Sequence, residues 1–144
     1  MVQAWARLER AFAKLNQVLE RDYGLTGQQL AVLRTVADWA GPGQAMPLAA
    51  LRERLFMHPA TIGQMLERLA DRGLVVVAPD PQDRRRRLIH VTEQGGGVLA
   101  TAPLAGPVRL RHVQAEPERL GRLAEALDDA ITLFGLQDYG PERR

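Results

Sequence analysis

Apolar positions recur along this chain with two different periods, and the switch between them marks where helices give way to strands. From residue 2 to about 22, Trp5, Leu8, Phe12, Leu15 and Leu19 recur at spacings of three and four. That is the period of an amphipathic helix. Ala4, Ala11 and Val18 add a second stripe seven residues apart, so this helix is expected to find partners on two sides. Those partners are either the chain's own core or a second subunit.

The next helix announces its start. Thr26 is placed to cap it, and Gln29, three residues on, to reach back and complete a capping box. Leu25 and Leu30 flank the cap as a hydrophobic staple. Leu30, Leu33, Val36 and Ala37 form the expected buried face, and the helix should end near Trp39 and Ala40, before Gly41-Pro42-Gly43. Pro47 suits the first turn of a third helix, with Leu48, Leu51 and Leu55 facing inward. Phe56, Met57 and His58 then make a short turn before Pro59, which suits the first turn of a fourth. Two helices joined by so short a turn have helix-turn-helix spacing.

The fourth helix leads into the stretch on which the rest depends. With Ile62 facing inward, Leu66, Leu69 and Gly73 fall within about 40° of it at the helical period, leaving Ala60, Gln64, Glu67 and Asp71 on the opposite face. Gly63 and Arg68 lie on its flanks. Gly73 stops the helix where a positive φ is needed. The period then changes. Val75, Val76 and Val77 are β-branched and read as a strand, Asp80-Pro81-Gln82-Asp83 supply turn chemistry, and Leu88 to Val91 return. Between them sit Arg84, Arg85, Arg86 and Arg87. Thr92 caps the segment after the second strand, with Gly95 close behind. The whole is a helix and then a β-ribbon with a cationic tip, the outline of a winged helix.

Beyond Thr92 the pattern loosens. Gly95-Gly96-Gly97 disfavour a helix by roughly 1 kcal/mol each against alanine, so a short helix is expected only at 98–102. Pro103 and Pro107 predict an irregular connector, in which Arg109, Arg111 and His112 form no recognisable motif. A last helix begins near Pro117. Leu120, Leu123, Leu127, Ile131 and Phe134 form its single apolar stripe, Gly135 ends it, and the tail to Arg144 is expected to fray.

Asp83-Arg84-Arg85, Val91-Thr92 and Gly95 together resemble the wing signature of the MarR family. Leu66, Leu69, Gly73 and Leu74 are similar to the family's recognition-helix ending, and Leu25-Thr26, Gln29 and Leu33 to its second helix. The resemblance covers most of residues 25–95. It implies a mainly α (α+β) fold over 1–144, with a winged helix-turn-helix DNA-binding lobe at 25–95. Helices at 1–22 and 116–136 would complete an antiparallel homodimer interface. It assigns Arg85 to the minor groove, with Asp83 pairing with it to hold its direction, and implies regulation by a small-molecule effector. Two departures stand out. Phe56 occupies a turn position where the family tends to place a small residue, and positions 63 and 64 lack the basic or hydroxyl side chain often found there.

Composition narrows the function classes. At 144 residues, 46% hydrophobic and 25% charged, this is an ordinary globular chain of one domain. No apolar run approaches the ~18 residues of a membrane span, and no signal-peptide pattern is present, so a cytoplasmic protein is expected. Without cysteine there is neither a disulfide nor a thiol redox sensor. Net charge is only +2. Local clustering therefore says more than the total, tempered by the fact that every basic residue except Lys14 is arginine. Enzymatic chemistry finds no support. There is no phosphate-cradling glycine loop before a lysine, no HExxH and no serine, and His58, His90 and His112 lack metal-ligand spacing. Neither a cofactor nor a metal is expected.

The chemistry of the helix and ribbon points to double-stranded DNA. The major groove admits one α-helix, whose N-terminal part meets base edges. Pro59, Ala60, Thr61, Gly63 and Gln64 occupy that part, with the Gln64 amide suited to an adenine edge and Arg68 reaching toward the backbone. In the wing, Arg85 would enter a narrow minor groove, whose negative potential attracts arginine, leaving Arg84 and Arg86 for phosphates. Phe12, Tyr23 and Trp39 are candidates to line an effector pocket, against plain core packing. The leading reading is a homodimeric, ligand-responsive transcriptional repressor acting on a pseudo-palindromic operator. A sequence-tolerant architectural DNA-binding protein and a winged-helix protein-interaction module are the alternatives.

Overall fold

A computed structural model of the chain describes residues 1–39, 44–55, 57–104 and 106–139. The Gly41-Pro42-Gly43 stop, Phe56 and the tail from 140 to 144 lie outside the described residues. The chain divides into two compact units, Met1–Arg109 and Leu110–Arg144.

The first unit opens with α1 (Val2–Tyr23), which Gly24 ends at φ 63°, a conformation that favours glycine. Leu19 is its buried residue, whereas Leu8 and Phe12 remain exposed. Helix α2 (Gly27–Ala37) has the capping box expected of Thr26 and Gln29. The Gln29 N–H donates to Thr26 Oγ1 at 3.1 Å, and Gln29 Oε1 accepts from the Thr26 N–H at 3.0 Å. Burial extends around most of α2, taking in Val32 and Thr35 as well as Leu30, Leu33 and Val36, because other elements pack on several of its sides. Thr35 satisfies its hydroxyl by donating to the Ala31 carbonyl at 2.8 Å.

Three strands form one antiparallel sheet in the order β1-β3-β2, where the sequence pattern gives two. The added strand is β1 (Met46–Pro47), with Met46 opposite Ile89 and Pro47 opposite Leu88 of β3 (Arg87–Val91). Pro47 is thus the residue before α3 (Leu48–Arg54) rather than part of its first turn. An edge strand tolerates a proline, which has no N–H to contribute to a ladder. Two residues leave no periodic trace, and their partners lie far along the chain. Strand β2 (Val75–Pro79) pairs with β3 from Val75 opposite Val91 to Pro79 opposite Arg87.

Helix α4 (Pro59–Asp71) contributes Ile62, Met65, Leu66 and Leu69 to the core, where they join Leu51, Met46, Leu74, Val75 and Ile89. Helix α5 (Glu93–Thr101) starts earlier than the glycine triplet suggests, with Gly95, Gly96 and Gly97 inside it. Thr92 compensates by accepting from the Gly95 N–H at 3.0 Å, and Leu99 anchors the helix in the core. A 3-10 turn comes next at Gly106–Arg111, where an irregular connector was expected.

The second unit is built on α6 (Pro117–Leu133). Gly135, at φ 65°, ends it in a Schellman motif: Leu136 N–H reaches the Ile131 carbonyl and Gly135 N–H the Thr132 carbonyl. The apolar stripe of Leu123, Leu127 and Ile131 is exposed. A short 3-10 turn, Gln137–Tyr139, orders the start of the stretch expected to fray.

Candidate nucleic-acid interface

Helix α4 is fixed at both ends. At its start, His58 Nδ1 accepts the Ala60 N–H at 3.2 Å, and Pro59 occupies the first turn, where its missing N–H costs nothing. At its end, Leu74 N–H reaches the Leu69 carbonyl at 2.9 Å and Gly73 N–H the Ala70 carbonyl at 2.8 Å. This is a Schellman motif with Gly73 at φ 70°. Leu69 and Leu74, the pair that such a motif brings into contact, are both buried.

Burying Ile62, Met65, Leu66 and Leu69 turns Ala60, Gln64, Glu67 and Arg68 outward, all exposed, with Thr61 and Gly63 half-buried beside them. Gly63 faces open space, so close approach is possible along that side. Arg68 is the one basic group within α4.

The exit of α4, the start of β2 and the start of α5 are locked together. Thr92 Oγ1 donates to the Gly73 carbonyl at 2.6 Å, and the Thr92 N–H to the Leu74 carbonyl at 3.1 Å. Gly95 packs so closely that a Cβ would overlap the Leu74 carbonyl oxygen. The wing is therefore held at a set angle to the helix.

At the wing tip, 80–86, two aspartates shape the turn. Asp80 Oδ1 accepts from the Gln82 N–H at 2.9 Å and Asp83 Oδ1 from the Arg85 N–H at 3.1 Å. The Asp80 N–H donates to the Arg86 carbonyl at 3.0 Å, closing the loop. The side-chain partner of Asp83 is not Arg85 but Arg86, whose Nε lies 3.5 Å from Asp83 Oδ2. Asp83 holds Arg85 only through its backbone N–H. Arg84, Arg85 and Arg86 all sit in the turn and only Arg87 enters a strand. Arg84 and Arg85 are exposed, and among the described residues neither has an ion-pair partner.

Two of the three candidate pocket residues are held by separate partners. Tyr23 Oη donates to the Thr101 carbonyl at 2.8 Å. The Arg54 guanidinium sits 4.6 Å from the Trp39 ring centroid, a cation–π contact. Phe12 is 44% exposed on α1. Two arginines that sequence patterning does not single out bind backbone carbonyls. Arg34 donates to the Leu99 carbonyl at 2.7 Å, and Arg72 to the carbonyls of Tyr23 and Gly24. The only cue to Arg72 is its place immediately before the helix-ending Gly73. Among the described residues, no cluster of three or more His, Asp or Glu is placed to hold a metal, and no helix is long and apolar enough to cross a membrane.

A helix-turn-helix leading into a two-stranded arginine-tipped ribbon defines a winged helix-turn-helix protein. The chain belongs to the MarR family of transcriptional regulators: a MarR family model matches residues 23–86. Transcriptional regulator HosA of Escherichia coli O111:H- is 36% identical over 124 residues, spanning 80% of this chain and 84% of that protein. The HTH-type transcriptional repressor NicR of Pseudomonas putida is 32% identical over 95 residues, or 64% of this chain and 58% of NicR. Among solved structures, Bordetella bronchiseptica BpsR, whose DNA binding is regulated by 6-hydroxynicotinic acid, aligns with a TM-score of 0.59 at 25% identity, covering 87% of this chain and 90% of BpsR. The expected family, the mainly α winged-helix fold and the regulator function are borne out.

Proposed function

We propose that this regulator is a homodimeric, sequence-specific repressor whose hold on double-stranded DNA responds to a small molecule. The observation that carries the reading is the exposed N-terminal face of α4 beside a stiffened wing tip with two unpaired arginines. Ala60, Thr61, Gly63 and Gln64 would meet base edges in the major groove, Arg68 the backbone, Arg85 the minor groove and Arg84 a phosphate. Pro59 permits close approach at the helix start. Asp83 serves as the orienting residue, and Arg86, engaged with Asp83, contributes less than the sequence alone suggests.

The exposed stripes Leu8 and Phe12 on α1, and Leu123, Leu127 and Ile131 on α6, supply apolar surface for a second copy. Repression is supported by the likeness to NicR, and an effector by the likeness to BpsR. Tyr23 and Trp39 remain candidates to meet that effector, with Phe12. The protein acts in the cytoplasm, by binding rather than by catalysis.

The sparse basic character of the α4 face favours one second reading, a sequence-tolerant architectural protein. Competition between selected and random duplex at one fixed salt concentration separates the two. A specific regulator prefers the selected duplex by at least about 1,000-fold; a ratio near one supports the architectural reading.

A further inference from the structure

We propose that Arg72 is a positioning residue: it fixes the angle between α1 and the recognition helix α4, and so sets the half-site spacing this regulator accepts. The inference rests on the dimeric DNA-binding reading above.

Helix termini leave carbonyls without intrahelical partners, carrying partial negative charge. At the end of α1, the last helical carbonyl and the one just after it converge on one side chain. Arg72 Nη2 donates to the Tyr23 carbonyl at 2.7 Å, and Nη1 to the Gly24 carbonyl. The planar guanidinium fork fixes direction as well as distance, which a lysine cannot do. Gly24 is shaped for the contact: it lies at φ 63°, and a Cβ there would come within 3.1 Å of Arg72 Nη1. Arg72 is itself the C-cap of α4, the residue at which the recognition helix ends. The fork therefore joins the last residues of α1 directly to the end of α4.

Two further contacts hold this end of α1. The Tyr23 hydroxyl reaches α5 through the Thr101 carbonyl, and Asn16 Oδ1 accepts the Gly27 N–H at the start of α2. Toward its N-terminus, by contrast, α1 exposes Leu8 and Phe12. The helix is thus a lever, fixed to the reading lobe at one end and offering apolar surface along the rest. Arg72 is exposed, so replacing it opens no cavity in the core. What it removes is angular restraint.

The test uses the full-length protein and a duplex selected by the parent, remade with one base pair inserted or removed between half-sites. Each change turns one half-site by roughly 34° against the other. The parent should lose about tenfold in affinity on either duplex, in line with the penalty of a mismatched site. Arg72→Gln, which cannot span both carbonyls, should lose about twofold or less. Arg84→Ala, weakened at the wing, should keep the parent's ratio. A parent-like tenfold ratio in Arg72→Gln overturns the inference. Should that variant fail to fold, Arg72→Lys replaces it: a ratio between parent and unity supports the role, and a parent-like ratio overturns it. Indifference of the parent itself to spacing would instead overturn the dimeric reading.

Discussion

Asp83 and Arg86 form an ion pair at the wing tip, Oδ2 to Nε at 3.5 Å, while the same carboxylate accepts the Arg85 N–H through its other oxygen. One aspartate thus occupies one arginine's side chain and fixes the backbone of the next. Family resemblance leads to an Asp83–Arg85 pair, but the tight turn brings the side chain three positions away into reach. The tip therefore has a division of labour that four consecutive arginines do not display.

Arg85→Ala should weaken binding to a selected duplex at least tenfold, about the cost of losing one good groove contact. Arg86→Ala should cost less than about threefold, because its charge is already partly compensated. Asp83→Asn keeps an oxygen for the Arg85 N–H but releases Arg86, so affinity for random duplex should rise and its salt dependence steepen. Titrations of the three variants at several salt concentrations check the ordering. Equal losses in Arg85→Ala and Arg86→Ala would refute it.

Thr26→Ala removes half of the capping box at α2, a helix largely buried in the core. Its cost should be about 1 kcal/mol, lowering the thermal midpoint by about 3 °C. DNA affinity at 25 °C should be unaffected, since Thr26 lies on no proposed contact surface. Calorimetry and a parallel binding titration separate the two effects.

The three glycines of α5 should respond oppositely to alanine. Gly96 and Gly97 face open space within a helix, so each substitution should stabilise the protein by about 0.4–1 kcal/mol. Gly95→Ala drives a methyl group into the Leu74 carbonyl and should destabilise by more than about 2 kcal/mol. Urea denaturation of the three variants decides; three changes of the same sign would contradict the close packing at the α4 exit.

Leu127→Arg places a charge in the exposed apolar stripe of α6. If that stripe receives a second copy, the variant should sediment as a monomer and bind a two-half-site duplex at least 100-fold more weakly. A variant that remained dimeric would remove α6 from the interface.

Much of this architecture is legible in the sequence because it is local. The Thr26–Gln29 box, the apolar stripes of α1, α4 and α6, and Gly73 before the valine run are set by residues a few positions apart. The missing features are long-range. Met46 pairs with Ile89, Arg72 reaches Tyr23 and Gly24, and Gly95 packs under Leu74. None of these leaves a periodic trace. The glycine triplet misled because propensity counts against a helix that Thr92 and Leu99 hold through capping and burial. The Asp83–Arg86 pair is local, but turn geometry rather than spacing selects it.

If two copies of a helix and an arginine-tipped wing read DNA together, the preferred duplex must carry the imprint of both. Selection of bound duplexes from a random pool by the full-length protein tests this most directly. The predicted result is an enriched inverted repeat with half-site centres about 10 bp apart, flanked by narrow-groove A·T-rich steps. An enriched pool with no shared motif, or with a single unrepeated half-site, would contradict it.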